Sequence, residues 1–259
     1  MKELNGRELA GYIKERQAHQ VRHLRAIKRF PKLVIFYDND NPVILKYISL
    51  KEQYGADIKV DVETRKITAE NASAEVSAAA NDPSVSGIIV QLPLTECDEN
   101  ILQLIPNEKD VDGLRGERDT ATAMAIHWLL TGYNIELPSL KLAIVGRGKL
   151  VGAPLLKMWT DSGYDVTMFH RGDDLSALIN YDVIVTATGV PSLIEPAFLK
   201  QGAVVVDAGT ASENGVIVGD ISDEVRESRN DLTITPRIGG VGPLTVAMLF
   251  ENVIRACGE

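Results

Sequence analysis

A glycine-containing turn in the middle of the chain constrains the fold more than any other feature. The stretch 141–154, KLAIVGRGKLVGAP, has the pattern of a strand, a tight turn and the start of a helix. We predict that a dinucleotide binds at Gly146, Arg147, Gly148, Val151 and Gly152. Glycine lets a pyrophosphate approach the backbone N–H groups, and the N-terminus of the following helix favours its negative charge. Because the spacing is G-x-G-x-x-x-G rather than G-x-G-x-x-G, the turn alone leaves open a plain strand-to-helix connection.

The apolar runs after this turn indicate a parallel sheet. They lie at 165–169, 182–186 and 204–207, with helical or loop segments between them. This alternation is typical of a doubly wound, Rossmann-type α/β domain, which we predict to begin near residue 118. After its second strand stands His170-Arg171, where NAD-binding proteins usually place an acidic residue. A cation suits a 2'-phosphate, so the pair favours NADP, with NAD possible and an exposed turn as the alternative for Arg171.

The first half of the chain has its own α/β pattern. Predicted strands lie at 32–37, 56–62 and 85–92, and predicted helices at 3–28, 42–54 and 68–80. We therefore predict two α/β domains with a cleft between them. The first covers 1–117 and is joined by the C-terminal helix 243–259, and the Rossmann-type domain covers 118–242.

Composition excludes several classes of partner. The 259 residues carry a formal net charge of -9, from 36 acidic against 27 basic side chains, which argues against nucleic-acid or anionic-membrane binding. Cys97 and Cys257 have no metal-ligand spacing, so we expect reduced thiols and no metal site. The start lacks an apolar signal core and no apolar run approaches membrane-spanning length, so we predict a cytoplasmic protein.

Two further segments could carry chemistry. Tyr47 and Lys51 lie four residues apart on a predicted helix, so phenol and amine project from one face. Short-chain dehydrogenases also have a Tyr-x-x-x-Lys pair, but downstream of their glycine turn, whereas this pair lies well upstream, and chance gives such pairs often. The segment Gly239-Gly240-Val241 could lay its backbone against a flat ligand, or simply start the last helix.

The order of the motifs along the chain resembles one enzyme family. DNPVILKYISLK, VQLPL, KDVDGL, GRGKLVGAP, GDI and PRIGGVGPLTVAMLFEN follow one another along nearly the whole sequence. This set resembles the bifunctional methylenetetrahydrofolate dehydrogenase/methenyltetrahydrofolate cyclohydrolases of the FolD type. The resemblance implies NADP-dependent oxidation of methylenetetrahydrofolate, followed by hydrolysis of the methenyl product to formyltetrahydrofolate. It also implies a homodimer, associated through the nucleotide-binding domain.

The resemblance assigns roles to individual positions. Lys51 becomes the key residue of hydrolysis, Gln91 tunes it, Tyr47 orders the folate rings, and Asp112 hydrogen-bonds the pterin. The substrate-binding set is Tyr47, Val90, Gln91, Leu92, Asp112, Gly239, Gly240 and Val241, and Thr210 joins the cofactor-binding residues.

The sequence also departs from the family pattern. Ile44 replaces a serine, Thr120-Ala121-Thr122-Ala123 keeps only the threonine of a Pro-Cys-Thr-Pro segment, and Arg237-Ile238 replaces Val-Pro. Gly148, Arg171 and Thr210 replace a serine, a serine and an isoleucine around the expected cofactor. These changes leave two alternatives open: a dehydrogenase without hydrolase activity, and a non-catalytic folate- or nucleotide-binding relative.

Overall fold

A computed structural model describes residues 1–209, 211–213 and 216–258, with backbone only for 211–213 and 216–217. The helices are α1 (Gly6–Ala26), α2 (Pro42–Ile58), α3 (Ala72–Asn81), α4 (Ala121–Gly132), α5 (Gly152–Asp161), α6 (Asp223–Ser228) and α7 (Val241–Gly258). The strands are β1 (Lys2–Glu3), β2 (Lys32–Tyr37), β3 (Asp61–Lys66), β4 (Gly87–Val90), β5 (Leu142–Val145), β6 (Val166–Phe169), β7 (Val183–Thr186), β8 (Val204–Asp207), β9 (Ala211–Glu213), β10 (Val216–Val218) and β11 (Thr233–Ile234).

The chain divides into two compact units. One comprises Gly11–Ala121 with Val246–Glu259, and we call it the three-stranded unit after its sheet; the other, the six-stranded unit, comprises Met1–Ala10 with Thr122–Thr245. All strand pairs in the two larger sheets are parallel. The predicted α/β class with a Rossmann-type parallel sheet is confirmed. The first ten residues group differently from the predicted range 1–117, because β1 pairs with β11.

The three-stranded unit is built around β2, which pairs with β3 on one side and β4 on the other. The four central residues of β2 and all of β4 are buried, as their unbroken apolar runs predict. Helix α2 starts at Pro42, as predicted, and the side chain of Asn41 caps it by accepting a hydrogen bond from Val43 N at 2.9 Å.

The predicted strand at 56–62 is wrong. Residues 56–58 belong to α2, which continues because Tyr54 and Ile58 bury its apolar face, and Lys59 ends it in the left-handed conformation. The strand β3 follows at Asp61–Lys66 with the polar sequence DVETRK. It lies at the sheet edge, so its side chains are mostly half-buried and give no apolar run.

The six-stranded sheet has the order β1-β11-β8-β7-β5-β6. Apart from β1 at one edge, the chain enters this sheet at β5, adds β6 on one side, and then continues with β7 on the other. The strand order therefore reverses beside β5, and ligands of open α/β sheets bind at the carboxyl ends of strands at such a point. The turn that follows β5 is the glycine turn singled out from the sequence.

Candidate active site

Helix α2 carries a buried lysine. Lys51 is 8% exposed, and its Nζ donates a hydrogen bond to Oε1 of Gln91 at 2.5 Å. Tyr47 is half-buried one turn earlier on the same helix. The structure therefore brings together two of the residues that the family resemblance selected, and it places the third on the same helix face.

Gln91 is fixed where β4 ends. Its backbone N–H donates to the Phe36 carbonyl at 2.7 Å, which extends the β2–β4 pairing by one residue. Its side-chain Nε2 donates to the Leu92 carbonyl at 3.1 Å, so the amide oxygen is the atom that faces Lys51. Leu92 is half-buried against the core, and the Val90 side chain is 1% exposed within it. A substrate contact by Val90 would therefore involve its main chain.

Asp112 lies in a loop that is held from several sides. The buried carboxylate of Asp110 accepts hydrogen bonds from Gly113 N, Leu114 N and Arg115 N at 3.0–3.2 Å. Asp110 also forms a parallel bridge with Ile88 of β4. From α7, Asn252 Nδ2 donates to the Val111 carbonyl at 2.8 Å. These contacts fix the backbone on both sides of Asp112.

The electrostatics of this cluster favour neutral side chains. Burial lowers the pKa of Lys51 below its usual 10.5, although the nearby charge of Asp112 opposes the shift. Burial raises the pKa of Asp112, Lys51 lowers it in part, and Asp110 adds to the rise. Burial also raises the pKa of Tyr47, so its phenol stays protonated near neutral pH. A lysine with a lowered pKa, held by an uncharged amide, is suited to act as a base.

The glycine turn has the close packing that its sequence implies. Gly146 has φ +100°, and a Cβ there would lie 2.6 Å from the Ala187 carbonyl oxygen at the end of β7. A Cβ on Gly152 would lie 1.8 Å from the Gly146 oxygen. Val151 precedes α5 without a side-chain cap. Ala153 N donates to the Gly148 carbonyl at 3.1 Å and Pro154 has no N–H, so in this first turn the N–H of Gly152 is the group that can face an anion. This turn fits a pyrophosphate. Arg147 and Gly148, which belong to the same turn, are exposed.

His170 and Arg171 follow β6 as predicted, and both are exposed. His170 is turned toward Asp173: its backbone N–H donates to Asp173 Oδ2 at 2.7 Å, and Nδ1 lies 3.5 Å from the same oxygen. Arg171 forms no ion pair within the residues that the structure describes. Its guanidinium is therefore available to a charged group of a ligand. Thr210, the remaining predicted cofactor residue, lies outside the described residues.

The Gly239-Gly240 segment is held by residues near the start of the chain. Gly239 has φ +95°, and its carbonyl accepts a hydrogen bond from Arg7 N at 3.0 Å. A Cβ on Gly6 would lie 1.8 Å from the Gly240 oxygen. Val241 is buried at the start of α7. The segment is thus both a helix start and a tightly packed turn.

The departures at this segment and on α2 have different surroundings. Arg237 is exposed and pairs with Asp223, and the neighbouring Ile238 is 79% exposed. Ile44, in contrast, lies on the buried face of α2. Thr120, the residue that directly precedes α4, is buried as well. Of these four residues, Arg237 and Ile238 are the ones that a ligand could contact directly.

Sequence reasoning missed the residues that hold the site. Asp38, Asp110 and Asn252 were not among the residues that the sequence patterns selected. All three are buried and bind backbone groups of loops. An acidic residue directly after an apolar strand was the available signal for Asp38, but a turn gives the same signal.

The part of the chain that the structure describes contains neither a candidate membrane span nor a candidate metal cluster. No helix there is long and apolar enough to cross a membrane. No group of three or more histidine, cysteine, aspartate or glutamate side chains there is arranged to hold a metal ion.

Comparison with known proteins covers both units. The family model described as the tetrahydrofolate dehydrogenase/cyclohydrolase catalytic domain matches residues 4–112, and the NAD(P)-binding domain of the same description matches 120–259. The bifunctional protein FolD of Hydrogenobaculum sp. is 34% identical, over 98% of this chain and 97% of its own.

Solved structures agree in fold over the whole chain. The FolD methylenetetrahydrofolate dehydrogenase/cyclohydrolase from Campylobacter jejuni matches with a TM-score of 0.92 and 31% identity, over 100% of this chain and 99% of its own. The Trypanosoma brucei enzyme, complexed with NADP cofactor and inhibitor, matches with a TM-score of 0.89 and 28% identity, over 98% and 96%.

Proposed function

The chain belongs to the tetrahydrofolate dehydrogenase/cyclohydrolase family, and we propose that it oxidises methylenetetrahydrofolate with NADP and hydrolyses the methenyl product to formyltetrahydrofolate. The family models match both units, which supports a function that uses the whole chain. The assignment of each chemical step to particular residues is the content of the proposal.

The hydrogen bond between Lys51 and Gln91 is the observation that best supports the proposed hydrolytic step. A lysine amine becomes a base only when it loses its proton, and burial lowers the pKa of Lys51. The Gln91 carboxamide holds the amine without adding a charge that would restore the ammonium. Lys51 can then take a proton from the water that attacks the methenyl carbon, and the cationic substrate further disfavours the ammonium.

Asp112 and Tyr47 are proposed to bind the pterin ring system. A pterin presents adjacent N–H groups, which a carboxylate can accept together. The fixed backbone around Asp112 would keep these hydrogen bonds in one geometry. Tyr47 keeps its phenolic proton, so it offers a ring face and a neutral hydrogen-bonding group. Leu92 and the main chain of Val90 are proposed to complete this part of the substrate site.

The six-stranded unit is proposed to hold the dinucleotide. When bound, NADP accepts a hydride from the methylene carbon of the substrate. Gly146 and Gly152 allow the close backbone packing of the turn after β5, and the N–H of Gly152 at the start of α5 would bind the pyrophosphate. His170 and Arg171 are proposed to contact the ribose and its 2'-phosphate, and Thr210 to contact the cofactor. We propose that the substrate contacts Gly239, Gly240 and Val241. The cleft between the domains stays a prediction.

Replacing Arg171 with alanine tests the choice of nucleotide. The loss of a hydrogen bond to a charged phosphate is expected to weaken NADP binding by roughly 1.5–3 kcal/mol, or about 10- to 100-fold, and to leave NAD binding nearly unchanged. Titration of both nucleotides by fluorescence or calorimetry measures the two affinities. Arg147→Ala is the matched control, because an arginine in the pyrophosphate turn should affect both nucleotides alike. Equal losses in Arg171→Ala would contradict the assignment.

We also propose that the chain acts as a cytoplasmic homodimer, with neither nucleic acid nor membrane as a partner. The family resemblance supports the dimer, and the net charge of -9 disfavours polyanionic partners. Light scattering of the purified protein at micromolar concentration would distinguish dimer from monomer.

The proposed function is tested by one spectrophotometric experiment. Purified protein is mixed with methylenetetrahydrofolate and NADP or NAD, and reduced nucleotide and methenyl product are followed separately. Reduction without methenyl accumulation is expected, because hydrolysis follows oxidation. Accumulation of the methenyl product would show a dehydrogenase alone. Absence of reduction with either nucleotide, in protein that binds folate, would favour the non-catalytic alternative.

A further inference from the structure

The loop after β4 has no helix or strand of its own, yet it carries Gln91. Residues 91–98 run from the end of β4 to a short helical turn at Glu99–Leu104. Leu92, Leu94 and Cys97 pack partly against the core. Hydrophobic contact alone would not fix the backbone of such a loop, because it is non-directional. Something else must set the position of the Gln91 carboxamide.

The carboxylate of Asp38 supplies that constraint. Asp38 directly follows β2 and is fully buried. Its Oδ2 accepts hydrogen bonds from Thr95 N at 2.7 Å, Glu96 N at 2.7 Å and Cys97 N at 3.0 Å. Three consecutive backbone donors thus converge on one oxygen. A buried carboxylate without its hydrogen bonds is costly, so these contacts strongly favour one loop conformation.

Asn39 extends the constraint toward Gln91. Its Nδ2 donates to Asp38 Oδ1 at 2.9 Å and to the Pro93 carbonyl at 3.2 Å. Gln91 N in addition donates to the Phe36 carbonyl. Hydrogen bonds therefore connect the loop to the end of β2 at the first residue of the loop, in its middle and near its end.

Asp38 stays ionised in this position. Burial would raise its pKa, but the hydrogen bonds from the backbone of Glu96, Cys97 and Thr95 and from Asn39 hold it below the ordinary value. Asp38 has no hydrogen bond to Lys51 or Gln91 among the described residues, so any effect on them must pass through the loop.

We propose that Asp38 is a positioning residue for the hydrolytic step, acting through the loop to hold the Gln91 carboxamide against Lys51. This inference rests on the proposed function, since it assumes that Lys51 acts as the base. Misplacing a catalytic group by about 1 Å can cost on the order of 100-fold in rate. A loosened loop would also admit water to Lys51, and its pKa would move back toward 10.5.

Asp38→Asn keeps the shape of the side chain and removes its charge. The kcat for hydrolysis of added methenyltetrahydrofolate is expected to fall about 10- to 100-fold, and the acid limb of its pH profile to move to higher pH. Adding Asp38→Asn to Gln91→Ala is expected to cause little further loss, because both changes act on one contact. Hydrogen exchange should quicken at the amides of Thr95, Glu96 and Cys97.

Asp98→Asn is the matched control. Asp98 caps the adjacent helical turn through Asn100 N at 2.8 Å and is exposed, so its loss should leave the pH profile unchanged. If Asp38→Asn does not fold, Asn39→Ala is measured in its place. The acid limb of the pH profile is then expected to move in the same direction by a smaller amount. An unchanged pH profile and kcat, or full additivity with Gln91→Ala, would overturn the role of Asp38 alone. Absence of hydrolysis in the unaltered chain would overturn the proposed function, and this role with it.

Discussion

Replacing Lys51 with methionine is expected to reduce hydrolysis of the methenyl substrate by about 100- to 10,000-fold, the contribution typical of a general base. Methionine fills a similar volume in the buried position but has no amine. Oxidation of methylenetetrahydrofolate should lose far less, since the proposed role of Lys51 is in the hydrolytic step. The two rates are measured separately, with methenyltetrahydrofolate and with methylenetetrahydrofolate plus NADP.

The fold should survive this change. The pKa of Lys51 is lowered in the folded protein, so below that pKa folding must bury an ammonium ion. Between the lowered pKa and 10.5 the unfolded chain binds the additional proton, and stability rises with pH there. At neutral pH, Lys51→Met should therefore be at least as stable as the unaltered chain. Without Lys51, the pKa of Asp112 is expected to rise further, because the lysine is the group that lowers it in part.

A second lysine on α2 provides the control for charge. Lys46 is exposed, and Lys46→Met should leave both rates unchanged. In the unaltered enzyme, hydrolysis should rise with pH as Lys51 loses its proton, at a pH below the ordinary lysine value. Hydrolysis that persists in Lys51→Met at the original rate would remove this residue from the mechanism.

Gly152→Ala is expected to have the largest effect on the six-stranded unit. The added Cβ would lie 1.8 Å from the Gly146 oxygen and 2.9 Å from its carbonyl carbon, so the backbone of the turn must move. Alanine favours a helix by up to about 1 kcal/mol over glycine, but overpacking costs about 1–3 kcal/mol. The net result should be lower stability and loss of NADP binding by about 100-fold or more.

Calorimetry of NADP binding and thermal unfolding measure both effects of Gly152→Ala. Gly11→Ala is the matched control: Gly11 lies within α1 with nothing within 4 Å of an added Cβ, so alanine should stabilise the protein slightly. Hydrolysis of added methenyltetrahydrofolate should continue in Gly152→Ala, because Lys51 and Gln91 belong to the other unit. Normal NADP affinity in this variant would show that the turn does not bind the pyrophosphate.

The sequence predicted elements whose own residues contain the signal. Strands β5 and β7 are short runs in which every residue is buried, so their apolar sequences identify them. The edge strand β3 has no such run, and β1 is only two residues long, so neither its length nor its pattern marks it as a strand. Pairing with a strand far along the chain defines β1, and local periodicity does not contain that information.

The residues of the candidate site also separate into those that the sequence identified and those that only the structure shows. Motif order selected Lys51, Gln91 and Asp112, and the structure shows that the first two are hydrogen-bonded to each other. The residues that hold them, Asp38 and Asn252, bind backbone atoms far away in the sequence. Any acidic or amide residue could do so, and only the folded chain shows which ones do.

The pairing of β1 with β11 has a consequence for synthesis. Lys2 and its partner Thr233 are far apart in the sequence, so during translation Thr233 is made long after Lys2. On the ribosome, β5 to β8 can assemble while the edge of β8 that accepts β11 is still open. Exposed strand edges are templates for wrong pairing. The nascent six-stranded unit is therefore most vulnerable to aggregation in the interval between completion of β8 and emergence of β11.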